Sequence, residues 1–302
     1  DIGAISRVRN DFIDRSYRTE YSRLGFYESQ ANAVYEVEDW FGEMQGVTYQ
    51  QHITDLYNSI NELTKNPTST IARSSLIQNA TAFIDRSQAI YSGLKDYQIT
   101  LNTEVSSMVD KINELGQKIY SLNKSISKVE AGGVERANDL RDTRDLALDE
   151  LSQYLDIDYY ETTDGQIIIS AENIPFVSKS EVNTMDVRQE GQYGLLIPEW
   201  PAYEKDVFSF EKAASNANNN DKGKLKGLLV ARGTIDVNYQ DVPVMPDKSD
   251  YDLTTAEGMA QYNSAMDDYQ KQQDYYNKYI EPSAILSAIA GFDKLVNGIV
   301  TA

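Results

Sequence analysis

The chain carries 302 residues, 41% hydrophobic and 25% charged, with 47 acids against 28 bases and a formal net charge of −19. Repulsion on that scale opposes nucleic-acid phosphates and anionic membrane surfaces, and no apolar run reads as long enough to cross a bilayer, so neither nucleic acid nor membrane is an expected partner. There is no cysteine and one histidine, His52, which removes disulfides, thiolate metal sites and thiol nucleophiles and leaves histidine-based catalysis a single residue to build on.

In chain order, residues 1–9 alternate loosely and read as extended. A first helix starts at Asn10 or Asp11. Phe12, Ile13, Tyr17, Tyr21, Leu24, Ala31, Val34 and Phe41 keep to steps of three and four and are expected to form its buried stripe, with Gly42 and Gly46 ending it. Thr48 followed by Gln51 reads as a capping box opening a second helix, whose face is Ile53, Leu56, Tyr57, Ile60 and Leu63 and whose stop is Asn66-Pro67. His52 lies on this helix with no cleft-forming motif nearby and reads as a surface or half-buried residue. The third helix, from about Ser69 to Val129, is the most regular signal. Leu94, Tyr97, Leu101, Val105, Met108, Ile112, Leu115, Ile119, Leu122, Ile126 and Val129 make a heptad seam, expected to be intrachain core because two earlier amphipathic helices need a surface to bury against. At about 1.5 Å per residue such a helix is roughly 90 Å long, which implies an elongated molecule. Gly93 and Gly116 are the places where it is free to bend.

Gly132-Gly133 breaks that helix. Within Asn138-Asp139-Leu140-Arg141-Asp142-Thr143-Arg144-Asp145, Asn138 reads as the N-cap of a fourth helix. Leu140, Arg144, Ala147, Leu148, Leu151 and Leu155 form its core stripe, apolar but for one arginine. Its charges pair poorly with one another: Arg141 and Asp145 stand at i,i+4, while Asp142, Asp145 and Asp149 crowd together. Partners from other segments are therefore expected. Arg144 in particular is expected to be at least half buried, its guanidinium paired to an acid from another helix or from the chain end.

After Leu155 the period shifts from about 3.6 to about 2. Leu155, Ile157 and Tyr159 alternate with Asp156, Asp158 and Tyr160; Thr163-Asp164-Gly165-Gln166 supplies a hairpin turn; Ile167-Ile168-Ile169 is a strand core. Further strands are expected at Phe176-Val177, Met185 to Arg188, Tyr193 to Ile197 and Val207 to Phe210. The polar connector 215–223 has oxygens that suggest a calcium loop, but it lacks glycine at the sixth place from Asn216 and has Gly227 where the bidentate acid belongs, so no metal is expected. Lys224 to Arg232 returns to helix, Thr234 to Asp250 is loop, and Thr254 to about Tyr279 is a helix rich in tyrosine and glutamine. Pro282 opens a last helix carrying Ile285, Leu286, Ile289, Phe292, Leu295, Val296 and Ile299. Tyr159-Tyr160, Tyr275-Tyr276 and Tyr279 suit either interfaces or half-wet helix faces.

Motifs for nucleotide binding, serine hydrolysis and zinc proteolysis are absent. Asp156 and Asp158, at i and i+2 on one strand, read as solvated edge charges rather than a glycosidase couple. No catalytic residue, cofactor-binding residue or metal ligand is assigned, and no cofactor is expected.

The stretch 137–145, continued by Leu148-Asp149-Glu150-Leu151-Ser152, resembles the signature of the flagellar hook-associated protein 1 family, junction proteins between the bacterial hook and filament. Ile5 to Phe12 with Tyr17-Arg18 resembles that family's entry into its first rod helix. Leu63 to Pro67 with Ala72-Arg73 is similar to its second helix end and third helix start, and Gly223 to Arg232 to its return from a β domain. The resemblance implies an α+β fold: an elongated helical rod or bundle formed by the N- and C-terminal parts, 1–154 and 223–302, with a small, mostly-β domain inserted at 155–222. It implies a secreted structural protein of the flagellum that forms the hook–filament junction by self-assembly and lateral rod packing, without chemistry. Implied partners are further copies in a ring at the hook tip, hook protein, hook-associated protein 3 and the flagellar export machinery. Asn138, Asp139, Leu140, Arg141, Asp142, Arg144, Asp145 and Leu148 form the structural signature. The family's terminal regions are missing, so the chain is expected to be a monomeric core fragment, and 234–279 reads as an insertion. The competing readings are a surface-exposed enzyme with a carboxylate site in the β domain and a coiled-coil adhesin. A domain of about 60 residues with no acid/base constellation disfavours the first. The 138–152 signature disfavours the second.

Overall fold

The computed structural model describes residues 11–41, 48–132, 136–191 and 194–302. Its elements are α1 (Asp11–Phe41), α2 (Tyr49–Lys65), α3 (Thr70–Glu130), α4 (Asn138–Tyr154), β1 (Ile157–Glu161), β2 (Ile167–Ala171), β3 (Ile174–Val177), β4 (Asp186–Glu190), β5 (Leu195–Trp200), β6 (Lys205–Asp206), α5 (Lys224–Arg232), α6 (Ala256–Tyr279) and α7 (Ala284–Thr301). The fold class is α+β, as expected: helices form the bulk, and two three-stranded antiparallel sheets, β1-β2-β3 and β4-β5-β6, are inserted between α4 and α5. The chain clusters into two compact units. One takes the residues up to Ala31 with Leu101–Ala231, the other Asn32–Thr100 with Arg232–Ala302, so α1 and α3 contribute to both. The expected extended start at 1–9 and the breaks at Gly42, Gly46 and Gly133 lie outside the described residues, as does Tyr193.

In the first unit the Asp164-Gly165 turn forms as expected. Gly165 takes φ +75, a conformation that costs a Cβ-bearing residue dearly, and β1 and β2 pair from Ile157↔Ala171 to Glu161↔Ile167. The α3 seam is buried at Leu101, Val105, Ile112, Leu115, Ile119 and Ile126, as are Leu148, Leu151 and Leu155 of the α4 stripe. A straight helix drifts from a strict seven-residue repeat, so the buried line takes in Val109 and Asn123 and leaves Met108 and Leu122 at its flank and Val129 exposed.

The stripe expected on α1 is overturned. Within this unit Phe12, Ile13, Tyr17 and Leu24 are exposed, while Arg18, Ser22, Phe26 and Ser29 are buried, with Gly25 between them. The reason is close backbone approach. A Cβ on Gly25 would lie 2.5 Å from the Gln153 carbonyl oxygen, and Ser22 and Ser29 hydroxyls donate to the Leu155 and Lys224 carbonyls at 3.2 and 3.1 Å. Small and polar residues allow this hydrogen-bonded seam; a stripe of large apolar residues would not. Gly116 is likewise a contact point rather than a bend: α3 is one unbroken helix, and a Cβ there would meet the Phe176 ring at 2.5 Å. The strand expected at Val207 to Phe210 does not form. Val207 still donates to the Pro198 carbonyl at 2.9 Å, but Pro198 has no N–H to return, so the ladder stops at Asp206 and the apolar run serves as a core anchor.

In the second unit, Tyr49, Phe83, Ile90 and Leu94 pack with Ile285, Leu286, Ile289 and Phe292 of α7 as core. Gly93 is the second glycine that does not bend α3; its missing Cβ accommodates the Trp40 ring. The capping box at α2 is half made: Thr48 Oγ1 accepts from Gln51 N–H at 3.2 Å, but the Gln51 amide turns outward to Asp55. Tyr57 and Ile60 of the expected α2 face are exposed. Helix α7, 18 residues with mean hydropathy 1.4, is long and apolar enough by composition to cross a membrane, contrary to the expectation that no run is. Its first half buries Ile285, Leu286, Ile289, Ala290 and Phe292 in the protein, while Leu295 and Val300 in its second half are exposed. Helix α6 is capped by Thr255 and buries only Gly258.

Candidate functional site

The β segment is fastened to α3 by asparagines. Asn123 is fully buried; its Nδ2 donates to the Ile167 carbonyl at 2.7 Å and its Oδ1 accepts the Ile167 N–H at 3.0 Å. Asn113 repeats the arrangement with Met185, at 2.9 Å in both directions. Asn102 donates to the Gly194 carbonyl at 3.1 Å and accepts from Leu196 N–H at 2.7 Å. A primary amide offers a donor and an acceptor side by side, so each asparagine completes strand backbone as a neighbouring strand would, from a helix.

Helix α4 closes over this face. Asn138 is not its cap: it is the first helical residue, with Ala137 before it making no side-chain cap bond. The capping position is served by Glu130, the last residue of α3, whose Oε1 accepts from Ala137 N–H at 3.0 Å. The same carboxylate holds Arg141 bidentately at 2.8 and 2.7 Å, and Arg141 Nη1 reaches Glu161 on β1 at 2.6 Å. The hydrogen bonds from Arg141 hold the Glu130 carboxyl down to about 2, and the same bonds raise the guanidinium further above its ordinary range. Arg144, 1% exposed, donates through Nη1 to Gly165 O at 2.6 Å and Asn123 Oδ1 at 3.0 Å and stands 3.5 Å from Glu161. Burial and pairing are as expected, but the acid comes from strand β1, not from a helix or the chain end.

Asp145 is buried. Arg18 of α1 lies 4.0 Å from its carboxylate, donates to Asp149 at 2.7 Å and stacks 4.7 Å over the Tyr159 ring. Leu148 is fully buried, Leu140 half-buried, and Asp139 and Asp142 are exposed on the outer side of the helix. Where the chain leaves the β segment, a second set of bonds answers the first: Lys222 pairs with Asp156 at 2.9 Å, Tyr27 donates to Asp221 at 2.9 Å, and Gly223 N–H to the Ser22 carbonyl at 3.0 Å. Asp156 is therefore held in an ion pair and Asp158 is exposed. Among the described residues no group of three or more His, Asp or Glu side chains is arranged to hold a metal ion.

Sequence reading brought together Arg141, Arg144 and Asp145 and expected outside partners. It missed Arg18, Glu130, Glu161 and the asparagines. The available signal for the latter was asparagine, a poor helix former, recurring at 102, 113 and 123 beside an apolar seam.

A family model described as "Flagellar hook-associated protein FlgK helical domain" matches residues 34–248. Flagellar hook-associated protein 1 of Bacillus subtilis (strain 168) is 27% identical over 278 residues, 86% of this chain and 53% of that protein. Its counterpart in Escherichia coli (strain K12) is 28% identical over 173 residues, 57% of this chain and 31% of that protein. The chain thus spans about half, or less, of the length of these curated relatives. Among solved structures, "The structure of the flagellar hook junction protein FlgK from Burkholderia pseudomallei" superposes with a TM-score of 0.59 at 16% identity, over 72% of this chain and 38% of that one, which indicates a shared fold. Since the family model takes in well over half of its residues, the chain belongs to the flagellar hook-associated protein FlgK family.

Proposed function

We propose that the chain is a structural part of the extracellular bacterial flagellum, working at the hook–filament junction by lateral packing against further copies of itself, with no bond made or broken. Family membership supports the flagellar assignment. The observation that carries lateral packing is the outer face of α1: Tyr17 is 52% and Leu24 49% exposed, while the opposite face is spent on bonds within the chain. Apolar side chains kept in water along a helix suit a surface covered on assembly. Hook protein, hook-associated protein 3 and the export machinery are the particular partners this reading names. Within it, 155–222 act as an inserted β domain carried by 1–154 and 223–302, and Asn138, Asp139, Leu140, Arg141, Asp142, Arg144, Asp145 and Leu148 are the structural signature that fixes its base. The enzyme and adhesin readings draw no support from the family.

The test is genetic and visual. Deleting the gene should leave hooks without attached filaments under the electron microscope; normal filaments would overturn the junction role. Restoring the full-length gene with Tyr17→Asp and Leu24→Asp should fail to rescue filaments although the protein is made and folded, and full rescue would overturn lateral packing through α1.

A further inference from the structure

A recess of about 920 Å³ lies where the chain enters and leaves the β segment, bounded by the β2–β3 turn, residues 204–212 and the start of α5. Its floor is unevenly charged. Lys222, 8% exposed, is neutralised by Asp156 at 2.9 Å. Lys226, 7% exposed, hydrogen-bonds only to the Asn220 carbonyl at 2.8 Å, and among the described residues it has no ion pair. Glu172, in the β2–β3 turn, has one oxygen engaged by Asp156 N–H at 2.9 Å; burial favours the uncharged form of both groups, raising the Glu172 carboxyl and lowering the Lys226 ammonium, which the more distant charges of Glu172, Asp156 and Asp221 only partly offset. An ammonium withdrawn from water without a carboxylate in contact is costly to keep. Beside these lysines stand Phe208 and Phe210, ring centroids 6.4 Å apart, as an apolar wall. Its lining also carries Glu204, Asp206 and Glu211 against Lys205 and Lys212, so with Asp156 and Glu172 the acids slightly outnumber the lysines and a polyanion is not favoured.

We propose that this recess binds a single carboxylate carried on an apolar body, the carboxylate pairing with Lys226 and the body lying on Phe208 and Phe210. The same chemistry is offered by a free organic acid and by neighbouring phenylalanine and glutamate side chains of a peptide. This site is independent of the junction role.

The experiment is a titration of the full, isotope-labelled chain, followed by amide NMR shifts, with phenylacetate, with acetate and with a capped Phe-Glu dipeptide. Saturable shifts confined to Asn220, Lys226 and Phe210 are expected at millimolar phenylacetate or dipeptide, whichever binds at the lower concentration identifying the source. Acetate, lacking the apolar body, should bind about tenfold more weakly. Lys226→Met should abolish the shifts, and Phe210→Ala should bring phenylacetate down to the affinity of acetate. Absence of shifts in the wild type, equal binding of acetate, or unchanged binding by Lys226→Met overturns the site. If Lys226→Met loses its fold by circular dichroism, Phe210→Ala decides, and unchanged phenylacetate binding by that variant overturns it.

Discussion

Replacing Asn123 with leucine keeps the branched outline of the side chain, with bulkier methyls, and removes every bond it makes. The Ile167 N–H and carbonyl and one Arg144 donor lose their partner in a place with no access to water. Each stranded buried group costs about 1–3 kcal/mol, and because the three share one site the sum is expected at ~3–6 kcal/mol. That is a large part of the ~5–15 kcal/mol that holds a typical domain together. Asn113→Leu breaks two bonds to Met185 at a half-buried position where water can take over, so ~1–2 kcal/mol is expected there. Urea unfolding in a Trp40→Phe background, read by the fluorescence of the fully buried Trp200, compares the two, and hydrogen exchange at the Ile167 amide gives the local answer. Equal costs for both substitutions, or an Ile167 amide as protected in Asn123→Leu as in the parent, would refute the reasoning.

Burial pushes the Glu172 carboxyl up to about 7 from an ordinary 4.5, so its contribution to stability is complete below about 4.5 and is lost as pH rises through about 7. The thermal midpoint should accordingly fall between about pH 5 and 8, and Glu172→Gln should flatten that slope in a calorimetric series. Glu130 has the opposite sign: held down to about 2 by Arg141, it stabilises above about 4.5 and fails as pH drops through about 2. Glu130→Gln should remove that acid limb and cost ~1–2 kcal/mol at neutral pH, and an unchanged acid titration of stability would count against the role of the pair. Gly116→Ala should lose ~1–3 kcal/mol against Phe176 despite gaining up to ~1 kcal/mol of helix propensity, whereas Gly298→Ala in α7, with nothing within 4 Å of its Cβ, should show the gain alone. Matching melting shifts for the two glycines would show that the Phe176 contact is not limiting.

The elements whose pattern comes from apolar burial were legible: the α3 seam, the α4 stripe with its arginine, the Asp164-Gly165 hairpin and α7 all follow from periods of three to four or two. What misled was α1, where the buried face is chosen by how closely Ser22, Gly25 and Ser29 let another backbone approach, a quantity hydropathy does not record. The site was half legible for a related reason. Unpaired charges on α4 announced that partners exist, yet Glu130, Glu161 and Arg18 become partners only through chain reversals that bring residues 11 to 131 positions apart together. The missing strand at Val207 to Phe210 turns on Pro198 of β5, only nine residues before Val207, but which residue pairs with which across the turn is a matter of register that the apolar pattern does not record.

The asparagines of α3 also set a rule for how relatives of this chain can vary in length. Asn102, Asn113 and Asn123 are separated by eleven and ten residues, close to three turns of helix each, which is about 10.8 residues. One residue inserted between two of them would swing the next amide by about 100° and carry it off its strand. Loops of the β segment are free to lengthen, but this part of the helix works as a ruler. Eleven inserted residues would restore the direction of the next amide yet push it about 16 Å along the axis, away from its partner, so this stretch should keep its length while its solvent-facing positions vary.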